Sequence, residues 1–118
     1  MMNENIKYLK SHLVTLNQMF EIENKLKGIS EPNSIQRNID RLKYFFETEA
    51  LSEGQGLVYH NPIGEKFDET RTDCEATIAG DSHDSLEIIE VIKPIIYVKY
   101  GQTQIIAQKG IVIVQSIK

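Results

Sequence analysis

The chain has 118 residues, about one domain's length, and its 41% apolar content is enough for a modest core. Thirteen basic against 17 acidic side chains leave a net charge of −4, which argues against a generic binder of phosphate backbones, since that task needs a basic face. A single cysteine excludes an internal disulfide framework and a cysteine-rich zinc site, and the scattered His12, His60 and His83 have no HExxH-type spacing.

Leucine dominates the first half and isoleucine the second: seven of eight leucines precede position 60, and twelve of seventeen isoleucines follow it. Leucine keeps its rotamer freedom in a helix, whereas β-branched isoleucine fits a pleated strand, so helices are expected first and sheet second. Met2, Ile6, Leu9, Leu13, Leu16 and Phe20 are spaced 4, 3, 4, 3, 4, which is a heptad seam along one stripe of a first helix. Val14, Met19, Ile22 and Leu26 widen that face. Gly28 and the segment Ser30-Glu31-Pro32-Asn33-Ser34 end the helix, because Pro32 disfavours helical geometry at Glu31. Asn33 or Ser34 can then cap a second helix with the seam Ile35, Ile39, Leu42, Phe46 and Ala50.

Two helices joined by a short turn make a hairpin, and one stripe per helix gives a thin core. Pairing two hairpins into a four-helix bundle covers both stripes, so a homodimer is expected, with Ile6, Leu9, Leu13, Leu16, Phe20, Ile35, Ile39, Leu42 and Phe46 as its contact residues. The competing expectation is that the hairpin packs on its own β domain.

Ser52-Glu53-Gly54-Gln55-Gly56 is read as a linker between a helical domain (1–52) and a β head (57–118). Strands are expected at Leu57–Tyr59, Ala76–Ala79, Leu86–Ile92, Ile95–Tyr100, Gln104–Ala107 and Ile111–Ile117, separated at Pro62, Gly80, Pro94, Gly101 and Gly110. Ile88-Ile89 and Ile95-Ile96, apolar on both faces, suit central strands. The fold class is therefore α+β, with a small antiparallel sheet or sandwich-like head. The longest apolar run, Leu86 to Tyr100, carries Glu87, Glu90, Lys93, Pro94 and Lys99, whereas a membrane span needs about 20 nearly uncharged residues. With no signal-peptide core at the N-terminus, the expectation is a soluble cytoplasmic protein.

Candidate chemistry is sparse. Residues 61–90 hold 9 acids and 2 bases, and residues 91–118 hold 4 lysines and no acid, so the middle could face a basic partner or be a solvated loop region. Cys74 could serve as a nucleophile if the fold brings His60 or His83 to it. Asp81-Ser82-His83-Asp84 could hold a divalent metal, although the EF-hand spacing is missing. Glu65, Asp68, Glu69, Asp73 and Glu75 could pair for acid–base work. Gly54-Gln55-Gly56 is too short for a phosphate loop. Each of these is better read as a structural or solvated feature, so the sequence points to action by binding, with no cofactor or metal.

The order helix, helix, glycine joint, then strands opening on Asn61-Pro62-Ile63-Gly64-Glu65-Lys66-Phe67-Asp68 resembles GrpE, the nucleotide exchange factor of the DnaK chaperone. Gly64, Phe67 and Asp68 match the family's G-x-x-F-D-P segment, and Glu75-Ala76 the end of its H-E-A. Ile88-Ile89-Glu90-Val91 is similar to its V-V-E-V strand. Tyr97, Gly101, Ala107 and Ile111-Val112-Ile113-Val114 align with its closing strands. Departures are Glu69 in place of proline, Cys74 in place of histidine, Ile96 in place of glycine, Gln102 in place of the chaperone-contacting arginine, and a short first helix.

The resemblance implies a homodimeric exchange factor with no enzymatic activity, which binds the ATPase domain of a DnaK-type chaperone and promotes ADP release. It implies a partner contact at Gly101, Gln102, Val112 and Val114, and no binding of nucleic acid or membrane. The alternative is a dimeric adaptor that has lost exchange activity. A third reading, from a different class, is a small enzyme built on Cys74 or on the Asp81, His83 and Asp84 group.

Overall fold

The computed structural model describes residues 10–30, 34–51 and 54–117. The architecture is α+β: two N-terminal helices, then seven strands in two sheets. Helix α1 spans Lys10–Leu26 and α2 spans Ile35–Thr48. Leu16, Met19 and Phe20 are the buried residues of α1, and Ile39 and Phe46 those of α2, so both seams turn apolar residues inward. Met2, Ile6, Leu9 and Asn33 lie outside the described residues. Hydrogen bonds from Lys27, Gly28 and Ile29 to the carbonyls three residues earlier close α1 in a tightened last turn, where Lys25 opposes the helix dipole. Ser34 is the N-cap of α2, but its side chain makes no cap hydrogen bond.

The strands are β1 (Gln55–His60), β2 (Lys66–Phe67), β3 (Cys74–Ala79), β4 (Leu86–Lys93), β5 (Ile95–Tyr100), β6 (Thr103–Gln108) and β7 (Gly110–Ser116). Six of them fall where β-branched residues and turn signals predict strands. The two-residue β2 was not expected, being too short to show a period. Gln55 and Gly56, read as linker, are the first residues of β1. The reason for Gly56 is a close approach: a Cβ there would lie 2.0 Å from the Glu47 carbonyl oxygen of α2.

One sheet has the order β1-β5-β6 and the other β2-β4-β7-β3, so β4 and β5, the strands carrying Ile88-Ile89 and Ile95-Ile96, are internal. The expectation of an antiparallel head needs correction, because β3 pairs with β7 in parallel, Cys74 opposite Gly110 through Ala79 opposite Gln115. Three strands intervene between them in the chain, so no hairpin dictates their sense. Strand β4 runs antiparallel to both β2 and β7, with register shifts between Ile88 and Glu90 and between Val91 and Lys93. These irregularities explain why Ile88 is buried while Ile89 is exposed along with Glu90.

The chain falls into two compact units, Met1–Tyr59 with Tyr97–Ile105, and His60–Ile96 with Ile106–Lys118. In the first, Leu16, Met19, Phe20, Ile39, Phe46, Leu57 and Val98 are buried. In the second, Leu86, Ile88, Ile95, Ile96, Val112 and Val114 are buried. No helix among the described residues is long and apolar enough to cross a membrane.

Candidate functional site

Gly101 and Gln102 form the two-residue connection between β5 and β6, and both are exposed. Gly101 has φ +60° and Gln102 a negative φ, the pattern of a type II′ hairpin turn, which requires glycine at its first central position. Gly101 also lines a shallow depression of about 390 Å³ within the first unit, together with Glu47 and Thr48 of α2, Gly54, Gln55, Gly56 and Lys99. The Lys99 ammonium donates to Glu47 Oε2 across it at 3.3 Å. Three glycines leave backbone rather than side chains along this surface. The other two residues implied by the resemblance stand differently: Val112 and Val114 belong to the second unit and are 1% and 0% exposed. They sit in β7 between β4 and β3, so a partner meeting this fold does not touch their side chains.

The hairpin residues also divide. Leu16, Phe20, Ile39 and Phe46 are buried within a single chain, and Leu13 is half-buried. Ile35 and Leu42 are 45% and 43% exposed, and Phe45, which the seam does not include, is 44% exposed. Residues 35, 42 and 45 are seven and three apart, so they share one stripe of α2.

A polar cluster fastens β1 to the hairpin. The Tyr59 hydroxyl donates to Glu23 Oε1 at 2.6 Å, while the Lys43 ammonium (2.8 Å) and the Gln36 amide (3.1 Å) donate to Oε2. Lys43 Nζ lies 5.0 Å from the centroid of the Tyr59 ring, and Phe20 meets that ring edge-on. Burial pushes the Glu23 carboxyl up, but the hydrogen bonds from Lys43, Tyr59 and Gln36 together outweigh it and hold the group below its ordinary value. Burial and then the bond to Glu23 push the Tyr59 phenol strongly up. This cluster was not found from sequence, although it left one signal. The seam continued three residues past Phe20 calls for an apolar residue and meets Glu23 instead.

The second unit holds its own charged network. Arg71 donates from Nε to Asp73 Oδ1 (2.6 Å), from Nη2 to Glu65 Oε1 (2.7 Å) and from Nη1 to the Lys66 carbonyl (2.9 Å). His60 Nε2 contacts Glu65 Oε2 at 2.5 Å. Burial raises Glu65 and Asp73, and the bonds from Arg71, with His60 at Glu65, bring both below their ordinary values. Asp68 accepts from the Thr70 hydroxyl and from its backbone N–H, which lower its pKa. The carboxylates considered for acid–base work at 65, 68 and 73 are thus held charged by structural partners. Cys74 is 7% exposed, and burial followed by the Asp73 charge pushes its thiol up to about 11, the opposite of what a nucleophile needs. Among the described residues no group of three or more His, Cys, Asp and Glu side chains converges to hold a metal ion.

No family model matches the chain, and no curated protein or solved structure matches it either.

Proposed function

We propose that the chain is a homodimeric protein-binding module that serves as a GrpE-like nucleotide exchange factor, engaging the ATPase domain of a DnaK-type chaperone and promoting ADP release. The observation that carries the binding reading is the exposed Gly101–Gln102 turn at the rim of the glycine-lined depression. Exchange needs no bond-making by this chain and no cofactor. It requires tighter binding to the open, nucleotide-poor form of the chaperone than to the closed one. Reversing a 1:99 population takes about 5.5 kcal/mol of differential affinity. An interface of standard size, about 1,600 Å² in total, can supply that when well matched.

The dimer in this reading is a four-helix bundle. Leu16, Phe20, Ile39 and Phe46 are already buried within each chain, so in this reading the two hairpins meet through the outer stripe of Ile35, Leu42 and Phe45.

The deciding experiment is stopped-flow release of a fluorescent ADP from the host's DnaK-type chaperone. Dose-dependent acceleration supports exchange activity; no acceleration at saturating protein removes it. A second reading, a dimeric adaptor without exchange activity, is favoured by Gln102 standing where the resemblance calls for arginine and by the burial of Val112 and Val114.

A further inference from the structure

The second unit contains a cavity unrelated to the Gly101 surface. Register sets Phe67 beside Leu86 and Ile78 beside Val114, on the same side of the four-stranded sheet as the buried Ile88. Where that face runs out, a half-open cavity of about 460 Å³ is lined on its apolar side by Phe67, Ile78 and Leu86. That volume lies within the range of about 300–1,000 Å³ typical of small-molecule sites.

Its polar side carries Asp68, Glu69 and Asp84, with Lys66 and His83 also present. Glu69 and Asp84 have no ion-pair partner among the described residues, and Lys66 forms none with them although it lines the same cavity. Carboxylates outnumber Lys66 three to one, in a segment (61–90) holding 9 acids and 2 bases. The lip is held by Ser85, with φ +52° the sole non-glycine residue of positive φ among those described, whose carbonyl accepts from the Ile117 N–H at 3.1 Å.

We propose that this cavity binds an organic cation on an apolar stem, an alkyl- or arylalkylammonium or a guanidinium, with the stem against Phe67, Ile78 and Leu86 and the charge among Asp68, Glu69 and Asp84. An apolar wall beside carboxylates is the chemistry that favours such a group, because the stem is desolvated against the wall while the charged head stays with the carboxylates. A metabolite amine and a lysine or arginine side chain of a basic protein share this chemistry. The inference is independent of the exchange-factor reading.

The test is titration of the intact protein, followed by amide NMR shifts, with phenethylammonium and butylguanidinium against the neutral 2-phenylethanol and the anionic 3-phenylpropionate. Saturable shifts confined to residues around Phe67, Ile78 and Asp84 are expected for the cations. The double variant Glu69→Gln, Asp84→Asn, at two exposed positions, should weaken them by about tenfold through loss of charge-assisted contacts. A capped arginine peptide binding more tightly than butylguanidinium assigns the cation to a protein partner, and the reverse order to a free metabolite; both uphold the site. The proposal is overturned if neither cation saturates, if 2-phenylethanol or 3-phenylpropionate binds as tightly, or if the double variant binds the cations unchanged.

Discussion

Tyr59 and Glu23, 36 positions apart, share a 2.6 Å hydrogen bond in which the phenol donates to the carboxylate that also receives Lys43 and Gln36. One charged residue on the α1 seam thus collects donors from α2 and β1. Hydrogen bonds to charged groups contribute about 1.5–3 kcal/mol, so Tyr59→Phe should cost about that much in urea unfolding. A double-mutant cycle with Lys43→Met should show coupling of at least about 0.5 kcal/mol. Strict additivity would mean that the cluster does not act as a unit.

Acid should weaken the protein through the carboxyls held below their ordinary values. Glu23, Glu65 and Asp73 bind protons less readily when folded, so the unfolded chain takes up more of them as pH falls. Their contribution is complete above the ordinary values of 4.5 for Glu and 3.8 for Asp, and is lost as pH drops through the lower folded values. Tyr59 works in the other direction: its raised pKa stabilises the fold below 10 and that part fades as pH rises further. Glu23→Gln should flatten the acid limb of a stability-against-pH curve, and an unchanged limb would show that Glu23 does not contribute to it.

Gly56→Ala puts a Cβ 2.0 Å from the Glu47 carbonyl, a backbone atom that can yield only if α2 shifts. Overpacking of this kind costs about 1–3 kcal/mol or more. Gly54→Ala meets no atom within 4 Å and should cost only the strain of φ +81°, about 1–2 kcal/mol. Equal losses in thermal or urea unfolding would contradict the close approach at Gly56.

For the outer stripe of α2, the expected result is a dimer by light scattering that becomes a monomer in Leu42→Glu, Phe45→Glu, with helical circular dichroism retained. Both residues are exposed in the single chain, and because Phe45 also meets the buried Phe46 edge-on, the retained helical signal is the control for folding. A wild-type monomer at tens of micromolar would end the bundle proposal.

Cys74 should resist thiol reagents in the native protein. With its thiol pushed up to about 11, the thiolate at neutral pH is about 300-fold scarcer than for a free cysteine of pKa near 8.5. Reaction with a disulfide reagent should be slow until denaturant is added; rapid native labelling would reopen a catalytic role.

Local pattern alone determined the element types. Heptad spacing and leucine in the first half, and β-branched runs cut by Pro94, Gly101 and Gly110 in the second, specify helices and strands because side-chain period and backbone stiffness act within a few residues. The Gly101 turn was legible for the same reason. Tertiary structure alone decided which strands pair and in what sense, as with β3 parallel to β7, and which residues of the α2 seam stay exposed. It also brought Glu23 to Tyr59, gathered Glu65 and Asp73 around Arg71, and opened the cavity beside Phe67 and Ile78. Those outcomes join residues distant in the chain, and the free energy that selects them comes from burial and desolvated charge pairing, which no local period encodes.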